Sequence, residues 1–210
     1  MQIVVFANAS QKDELTSGLS AVAKVVFIND ESKFLLHPEA DAFVDLQFTN
    51  SRSRIALLAQ LLPKPVVINS VVDTLEETNE AFVRINGWST FLSSAFLEAA
   101  CRHEETRSKA AEVFACFGKQ LQWLNDEPGF ITARVVSMIV NEAFIALSEG
   151  VSTKDEINTA MKLGTAYPYG PFEWAEKIGS KNIATLLQRL SETQVRYAPS
   201  PLLVQTAANP

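Results

Sequence analysis

Short apolar runs of strand length alternate with helical patterns in the first third of this 210-residue chain, and that alternation limits the fold more than any other feature. The runs cover residues 3–6, 25–28, 42–46 and 65–69. Helical spacing of apolar residues follows the first run over residues 12–23 and the third over residues 54–62. Runs that are apolar at nearly every position are typical of strands buried on both faces. The pattern therefore predicts an α/β fold, with a parallel sheet covered by helices on both sides.

The chain takes on helical character from about residue 104. Predicted helices cover residues 104–117, 131–148, 152–163 and 178–194. Residues 91–101, which follow Gly87, are compatible with either a buried strand or a helix. A turn containing Pro128 and Gly129 precedes the longest helical segment. We therefore predict an α/β domain over residues 1–124 and an all-α domain over residues 125–210.

The composition excludes several classes of function. There are 18 Lys and Arg against 24 Asp and Glu, a net charge of −6, so we expect no nucleic-acid partner. No apolar run reaches the roughly 18 residues of a membrane helix, and the first residues lack the cationic segment of a signal peptide, so we expect no membrane partner. Two histidines, His37 and His103, and two cysteines, Cys101 and Cys116, have no metal-type spacing. We expect no metal site, and free thiols in a reducing cytoplasm.

The helical half carries a series of short motifs in a fixed order. They are DEPGFI at 126–131, Arg134, NEA at 141–143, EGV at 149–151, DEI at 155–157, AMKLG at 160–164, PYGPFE at 168–173, IG at 178–179 and YAPSPLL at 197–203. Over residues 126–203 the chain resembles the C-terminal domain of the 3-hydroxyacyl-CoA dehydrogenase family. In that family this domain forms the dimer and one wall of the acyl-CoA cleft, so the resemblance implies a homodimer and an acyl-CoA or other small-molecule ligand.

The resemblance also implies that the first domain is a shortened Rossmann fold that binds NAD. The family's dinucleotide loop is rich in glycine because its backbone approaches the pyrophosphate, whereas this chain has Phe6, Asn8 and Gln11 at the glycine positions. The acidic residue that binds the adenine ribose aligns with Asn29, beside Asp30. Asp30 is compatible with a ribose ligand or with a solvated turn residue. These substitutions predict weak or absent binding of NAD.

The family's catalytic positions are only partly kept. Glu98 aligns with the family's glutamate, and counting back from it places Asn86 at the position of the base histidine. The family's serine falls near Ser70, and its asparagine falls on Ala133, next to Arg134. An amide does not accept a proton near neutral pH, and losing a general base costs about 10²–10⁴-fold in rate. Glu98 is compatible with a remnant, a structural hydrogen-bond partner or a base for other chemistry.

Aromatic residues of the helical half also favour a homodimer. Their number exceeds what the core of a small helical domain requires, and they are Phe144, Tyr167, Tyr169, Phe172 and Trp174. We therefore expect the dimer to form through residues 129–203.

Two functions follow from these observations, and the first is favoured because four site positions differ together. In the first, the chain is a divergent family member that is impaired in NAD-dependent oxidation and acts as a binding or regulatory protein linked to acyl-CoA and fatty-acid metabolism. In the second, it is an active NAD-dependent 3-hydroxyacyl-CoA dehydrogenase, of the 3-hydroxybutyryl-CoA type, with an altered catalytic base.

Overall fold

The computed structural model describes residues 1–20 and 23–209. They form two compact units, Met1–Phe130 and the residues from Ile131 onward. The first unit extends past the boundary placed at residues 124/125 from the sequence, because the segment that follows the last strand folds back onto it. The Gly129 amide, for example, donates a 2.7 Å hydrogen bond to the carbonyl of Val71.

The first unit contains a seven-stranded sheet. Its strands are β1 (Gln2–Phe6), β2 (Lys24–Ile28), β3 (Ala42–Asp45), β4 (Val66–Asn69), β5 (Val83–Ile85), β6 (Phe96–Ala100) and β7 (Gln120–Trp123). The spatial order is β2-β1-β3-β4-β5-β6-β7. Strands β1 to β5 are parallel, β6 runs antiparallel to β5, and β7 is parallel to β6. This mostly parallel sheet confirms the predicted α/β class.

Helices cover both faces of the sheet, and they explain the continuous apolar runs. They are α1 (Ala9–Thr16), the 3-10 helix Glu31–Leu36, α2 (Arg52–Ala59) and α3 (Glu104–Ala115). Ile3 and Val5 of β1 belong to one hydrophobic core with Leu15 and Phe114, whereas Val4 points to the other core. Of the helix predicted over residues 12–23, the structure has α1, which ends at Thr16, and residues 21 and 22 lie outside the described part.

The segment that gave no clear pattern forms two strands. Residues 91–101, compatible from the sequence with a strand or a helix, contain β6, and β5 pairs with it antiparallel. Strand β5 has only three residues, which is too short for a period to be recognised.

The second unit is helical, as predicted. It contains α4 (Thr132–Ser148), α5 (Lys154–Thr165), α6 (Pro171–Ile178), α7 (Ser180–Ser191), the 3-10 helix Val195–Tyr197 and α8 (Pro201–Ala208). The helix predicted over residues 178–194 corresponds to α7. Helix α6, which precedes it, was not predicted, and Gly179, with a φ of 91°, separates the two. In the described part of the chain, no helix is long and apolar enough to cross a bilayer.

Three of the five aromatic residues assigned to an interface lie instead in the core of the second unit. Phe144 and Phe172 are buried with ring centroids 5.0 Å apart, and Trp174 is buried against Tyr167 at 5.3 Å. The argument for a dimer from the number of aromatic residues was therefore wrong for Phe144, Phe172 and Trp174.

Candidate active site

Asn86 and Glu98 face each other across the antiparallel pair β5 and β6. Ile85 of β5 pairs with Ala99 of β6, so Asn86, one residue later, is opposite Glu98, one residue earlier. The backbone amide of Asn86 donates to the carbonyl of Glu98 at 3.0 Å, and the side-chain Nδ2 donates to Glu98 Oε2 at 3.2 Å. Only 1% of Asn86 is exposed. The structure thus brings these two predicted residues together.

This pair can hold a carboxylate in place, but Asn86 cannot act as a base. The lone pair of its Nδ2 is delocalised into the amide carbonyl, and its Oδ1 accepts a 3.4 Å hydrogen bond from the amide of Trp88. Of the two side chains, only Glu98 carries an ionisable group.

Ser70 follows β4 in a tightly bonded loop. Its hydroxyl donates to the carbonyl of Asp73 at 2.9 Å, and its own carbonyl accepts from Nε of Arg84 at 2.9 Å. The guanidinium of Arg84, which is fully buried, also forms an ion pair with Asp126 and lies 4.6 Å from the ring of Phe130. Through these contacts Ser70 stabilises the conformation of its own loop.

Asn8 caps the first turn of α1. Its Oδ1 accepts a 2.9 Å hydrogen bond from the backbone amide of Gln11, and Gln11 Oε1 accepts a 3.2 Å bond from the backbone amide of Asn8. This reciprocal pair is a capping box, which satisfies two of the helix's free N–H groups.

Asn29 and Asp30 are both exposed and are engaged by their neighbours. Asn29 Oδ1 accepts from Nζ of Lys33 at 2.6 Å. Asp30 begins the 3-10 helix, where its Oδ1 accepts from the amide and the hydroxyl of Ser32 at 2.8 and 2.5 Å. Hydrogen bonds from Ser32 lower the pKa of Asp30. Both residues therefore stabilise a local turn, which agrees with the second interpretation of Asp30.

Ala133 and Arg134 lie in the first turn of α4, in the second unit. Ala133 is fully buried, and Arg134 places its guanidinium carbon 5.7 Å from the ring of Tyr197. Arg196 lies on the same ring at 4.7 Å.

A groove of about 590 Å³ starts at these arginines and runs along α4. Its lining is mainly apolar, and the apolar side chains around Glu142 include Val135, Met138, Ile139, Ala146, Ile157 and Met161. Helix α5 supplies the last two and has no buried residue of its own. The groove thus leaves one face of α5 without a covering layer in the described part of this chain.

Residues 129–210 match the family described as "3-hydroxyacyl-CoA dehydrogenase, C-terminal domain". The chain is 40% identical over 111 residues to 3-hydroxyadipyl-CoA dehydrogenase of Escherichia coli, a match that covers 52% of this chain and 23% of that protein. It is 38% identical over 104 residues to 3-hydroxybutyryl-CoA dehydrogenase of Bradyrhizobium diazoefficiens, covering 49% of this chain and 36% of that protein. The C-terminal domain belongs to the 3-hydroxyacyl-CoA dehydrogenase family. The resemblance found in the sequence is confirmed there.

A solved structure extends the likeness to the first unit. The (S)-3-hydroxybutyryl-CoA dehydrogenase of Ralstonia eutropha matches with a TM-score of 0.76 over 99% of this chain and 93% of that one. At 16% identity, this match shows the fold alone. The matches to the two curated relatives span less than two fifths of the length of each.

The loop after β1 does not fit the dinucleotide expected of the 3-hydroxyacyl-CoA dehydrogenase family. A pyrophosphate at a helix N-terminus is bound by free backbone N–H groups. Here the amides of Asn8 and Gln11 already donate to each other's side chains. Phe6 adds a ring beside this turn, 5.0 Å from the guanidinium carbon of Arg54. The side chains of Asn8 and Gln11 thus occupy the N–H groups that a pyrophosphate would need.

Sequence reasoning missed a buried ion pair at the end of β3. Arg54 donates from Nε to Asp45 Oδ2 at 2.6 Å and from NH2 to Oδ1 at 2.9 Å, and its NH1 lies 3.1 Å from Glu31 Oε2. Burial raises the pKa of Asp45, and the bonds from Arg54 oppose that shift. Since the two residues are nine positions apart on a strand and a helix, no local spacing could have indicated the pair.

The described part of the chain contains no group of three or more His, Cys, Asp and Glu side chains placed to hold a metal ion. The two histidines, His37 and His103, lie outside the Asn86–Glu98 pair. His103 precedes α3 as its N-cap, and His37 ends the 3-10 helix before β3.

Proposed function

We propose that this chain is a divergent member of the 3-hydroxyacyl-CoA dehydrogenase family that is impaired in NAD-dependent oxidation. It acts as a binding or regulatory protein linked to acyl-CoA and fatty-acid metabolism. The observation that supports this most is the Asn86–Glu98 pair, because an amide stands where the family has its base and is held there by the retained carboxylate. A dehydrogenase needs a group at this point that takes the hydroxyl proton.

NAD binds weakly or not at all under this proposal. The support is the capping box of Asn8 and Gln11, which uses the N–H groups that a pyrophosphate requires. Asn29 and Asp30, the remaining cofactor candidates, are engaged in a local turn.

One observation favours a second candidate function, an active NAD-dependent 3-hydroxyacyl-CoA dehydrogenase of the 3-hydroxybutyryl-CoA type with an altered base. Glu98 is retained on β6 with its carboxylate facing position 86. In this alternative, Glu98 itself takes the hydroxyl proton.

Titration of the purified protein with NADH, followed by fluorescence, separates the two functions. The favoured function predicts no saturation at micromolar NADH and no reduction of acetoacetyl-CoA. A micromolar dissociation constant together with steady turnover would establish the alternative.

We further propose that the protein is a homodimer through the groove on α4, in a cytoplasmic setting that keeps Cys101 and Cys116 as the free thiols they are here. Helix α5 gains a covering layer in this dimer, which supports the choice of surface. If two α4 helices pair antiparallel about an axis beside Met138, Arg134 of each copy lies opposite Glu142 of the other. Two Arg134–Glu142 ion pairs, one at each end, then flank an apolar centre, as expected of an isologous interface.

A further inference from the structure

The crevice at the point where the strand order of the sheet reverses is bridged by side-chain amides. In the order β2-β1-β3, the chain passes from β1 to β2 on one side and then crosses to β3 on the other side of β1. Ligands of open α/β sheets bind at such a point, outside the carboxyl ends of the strands. The end of β1 leads to α1, and the end of β3 leads to Leu46. What lies between these two ends decides whether a ligand can enter.

Gln11 spans that gap. Its Nε2 donates to the carbonyl of Leu46 at 2.9 Å, 35 residues away, and only 7% of the residue is exposed. Its Oε1 accepts from the amide of Asn8 at 3.2 Å and also from Nε2 of Gln47. Both ends of the side-chain amide are thus bonded within the protein.

A second side-chain amide continues the bridge toward the end of β5, where Asn86 lies. Asn69, at the end of β4, donates from Nδ2 to the same Leu46 carbonyl at 3.2 Å. Its Oδ1 accepts from the amide of Gly87 at 2.9 Å. A Cβ at residue 87 would come within 2.8 Å of Asn69 Cγ, so this close approach depends on glycine. The bridge therefore joins the ends of β1, β3, β4 and β5.

We propose that Gln11 closes the crevice from within, and that its amide takes the hydrogen-bonding role that a bound diphosphate has in open α/β sheets of this kind. This inference rests on the proposed loss of NAD binding and names its cause. The closure consists of side chains alone, because the side chains of Gln11 and Asn8 bind the N–H groups of the α1 turn. The backbone beneath them keeps the course of a helix N-terminus that follows a parallel strand.

Replacing both residues by glycine tests this directly in the full chain. Glycine at an N-cap costs only a few tenths of a kcal/mol relative to asparagine, so Asn8→Gly is tolerated. The double variant Asn8→Gly/Gln11→Gly frees two amides and should bind ADP at least about tenfold more tightly than the unmodified protein by calorimetry, because hydrogen bonds to charged groups are the strong ones. Ser10→Gly, in the same turn, is the matched control and should leave ADP binding as weak as in the unmodified protein.

The outcomes separate the inference from the proposed function. A folded double variant that binds ADP no more tightly than Ser10→Gly would overturn the closure and leave the proposed function standing. Micromolar binding of NADH by the unmodified protein would overturn the proposed function itself.

If the double variant fails to fold, Gln11→Ala supplies the test. This substitution keeps a good helix former and removes the bridge. Hydrogen exchange of the Asn8 backbone amide should then accelerate by about tenfold or more, because that amide loses its acceptor. An unchanged exchange rate in Gln11→Ala would refute the closure.

Discussion

The side-chain amide of Asn86 donates to the carboxylate of Glu98 at 3.2 Å, across two strands whose backbones are hydrogen-bonded at the same two residues. The distance between these side chains is therefore set by the antiparallel register of β5 and β6. A side chain at position 86 is therefore placed beside Glu98.

Asn86→His should create a histidine with a raised pKa. A nearby carboxylate favours the charged imidazole, so the pKa should lie above the free value of about 6.5. Titration of the new histidine by NMR measures it. In the control Asn86→His/Glu98→Gln the pKa should fall back, and a pKa near 6.5 in the single variant would show that the two side chains do not interact. The single variant should still fail to reduce acetoacetyl-CoA, since the dinucleotide crevice remains closed.

Loss of Asp126 should destabilise the protein strongly. Asp126 forms an ion pair with the fully buried Arg84 and accepts hydrogen bonds from the amide of Leu75 at 2.9 and 3.2 Å. Removing one member of a buried pair leaves an uncompensated charge, so Asp126→Ala should lower the free energy of unfolding by about 3 kcal/mol.

The double variant Arg84→Met/Asp126→Ala is the control for that measurement. It removes the stranded charge and should recover part of the lost stability in urea unfolding. If the double variant loses as much free energy of unfolding as Asp126→Ala and Arg84→Met lose together, the pair has no coupling energy.

Met138→Asp should convert a dimer into a monomer. Met138 lines the groove on α4, and a carboxylate there would be buried without a partner at the proposed interface. Light scattering should give twice the chain mass of 23.1 kDa for the unmodified protein and the chain mass itself for Met138→Asp. Val204→Asp, at an exposed apolar residue outside the groove, should remain dimeric. A monomeric unmodified protein at micromolar concentration would contradict the proposed interface.

Stability should fall in acid partly through Glu173. A hydrogen bond from Lys162 at 2.5 Å, followed by one from the amide of Gly170 at 2.8 Å, lowers the pKa of Glu173 below its ordinary value of 4.5. The unfolded chain then binds more protons in this range, so stability is present above pH 4.5 and is lost as the pH falls further.

Glu173→Gln should therefore flatten the dependence of the melting temperature on pH below that value, measured by circular dichroism. Glu176→Gln, an exposed position on the same helix, is the control. If both variants show the same pH profile as the unmodified protein, Glu173 does not contribute to acid unfolding.

Local patterns predicted the elements whose signals lie within a few residues. The apolar runs of β1, β3 and β4 were recognised because both faces of these strands are buried. The start of α5 was recognised from Thr153 and Glu156, which form a capping box. The resemblance in the sequence placed Asn86 and Glu98 at facing positions without any structure.

Features that depend on contacts between distant segments could not be predicted. Gln11 reads as a substituted glycine in the sequence, and its bond to Leu46 depends on the approach of two strand ends 35 residues apart. Helix α6 was not predicted, because its eight residues are too few for a helical period to be recognised. The surplus of aromatic residues was misinterpreted because Phe144, Phe172 and Trp174 pack within their own domain.

Helix α5, which has no buried residue, bears on how long such a chain survives in a cell. A helix without a buried residue opens locally at little cost, and proteases cut preferentially at segments that open in this way. Covering the groove removes that opening. If the proposed homodimer forms, an unpaired chain is open to cleavage at α5 while a paired chain persists, and the abundance of the protein is then coupled to its assembly.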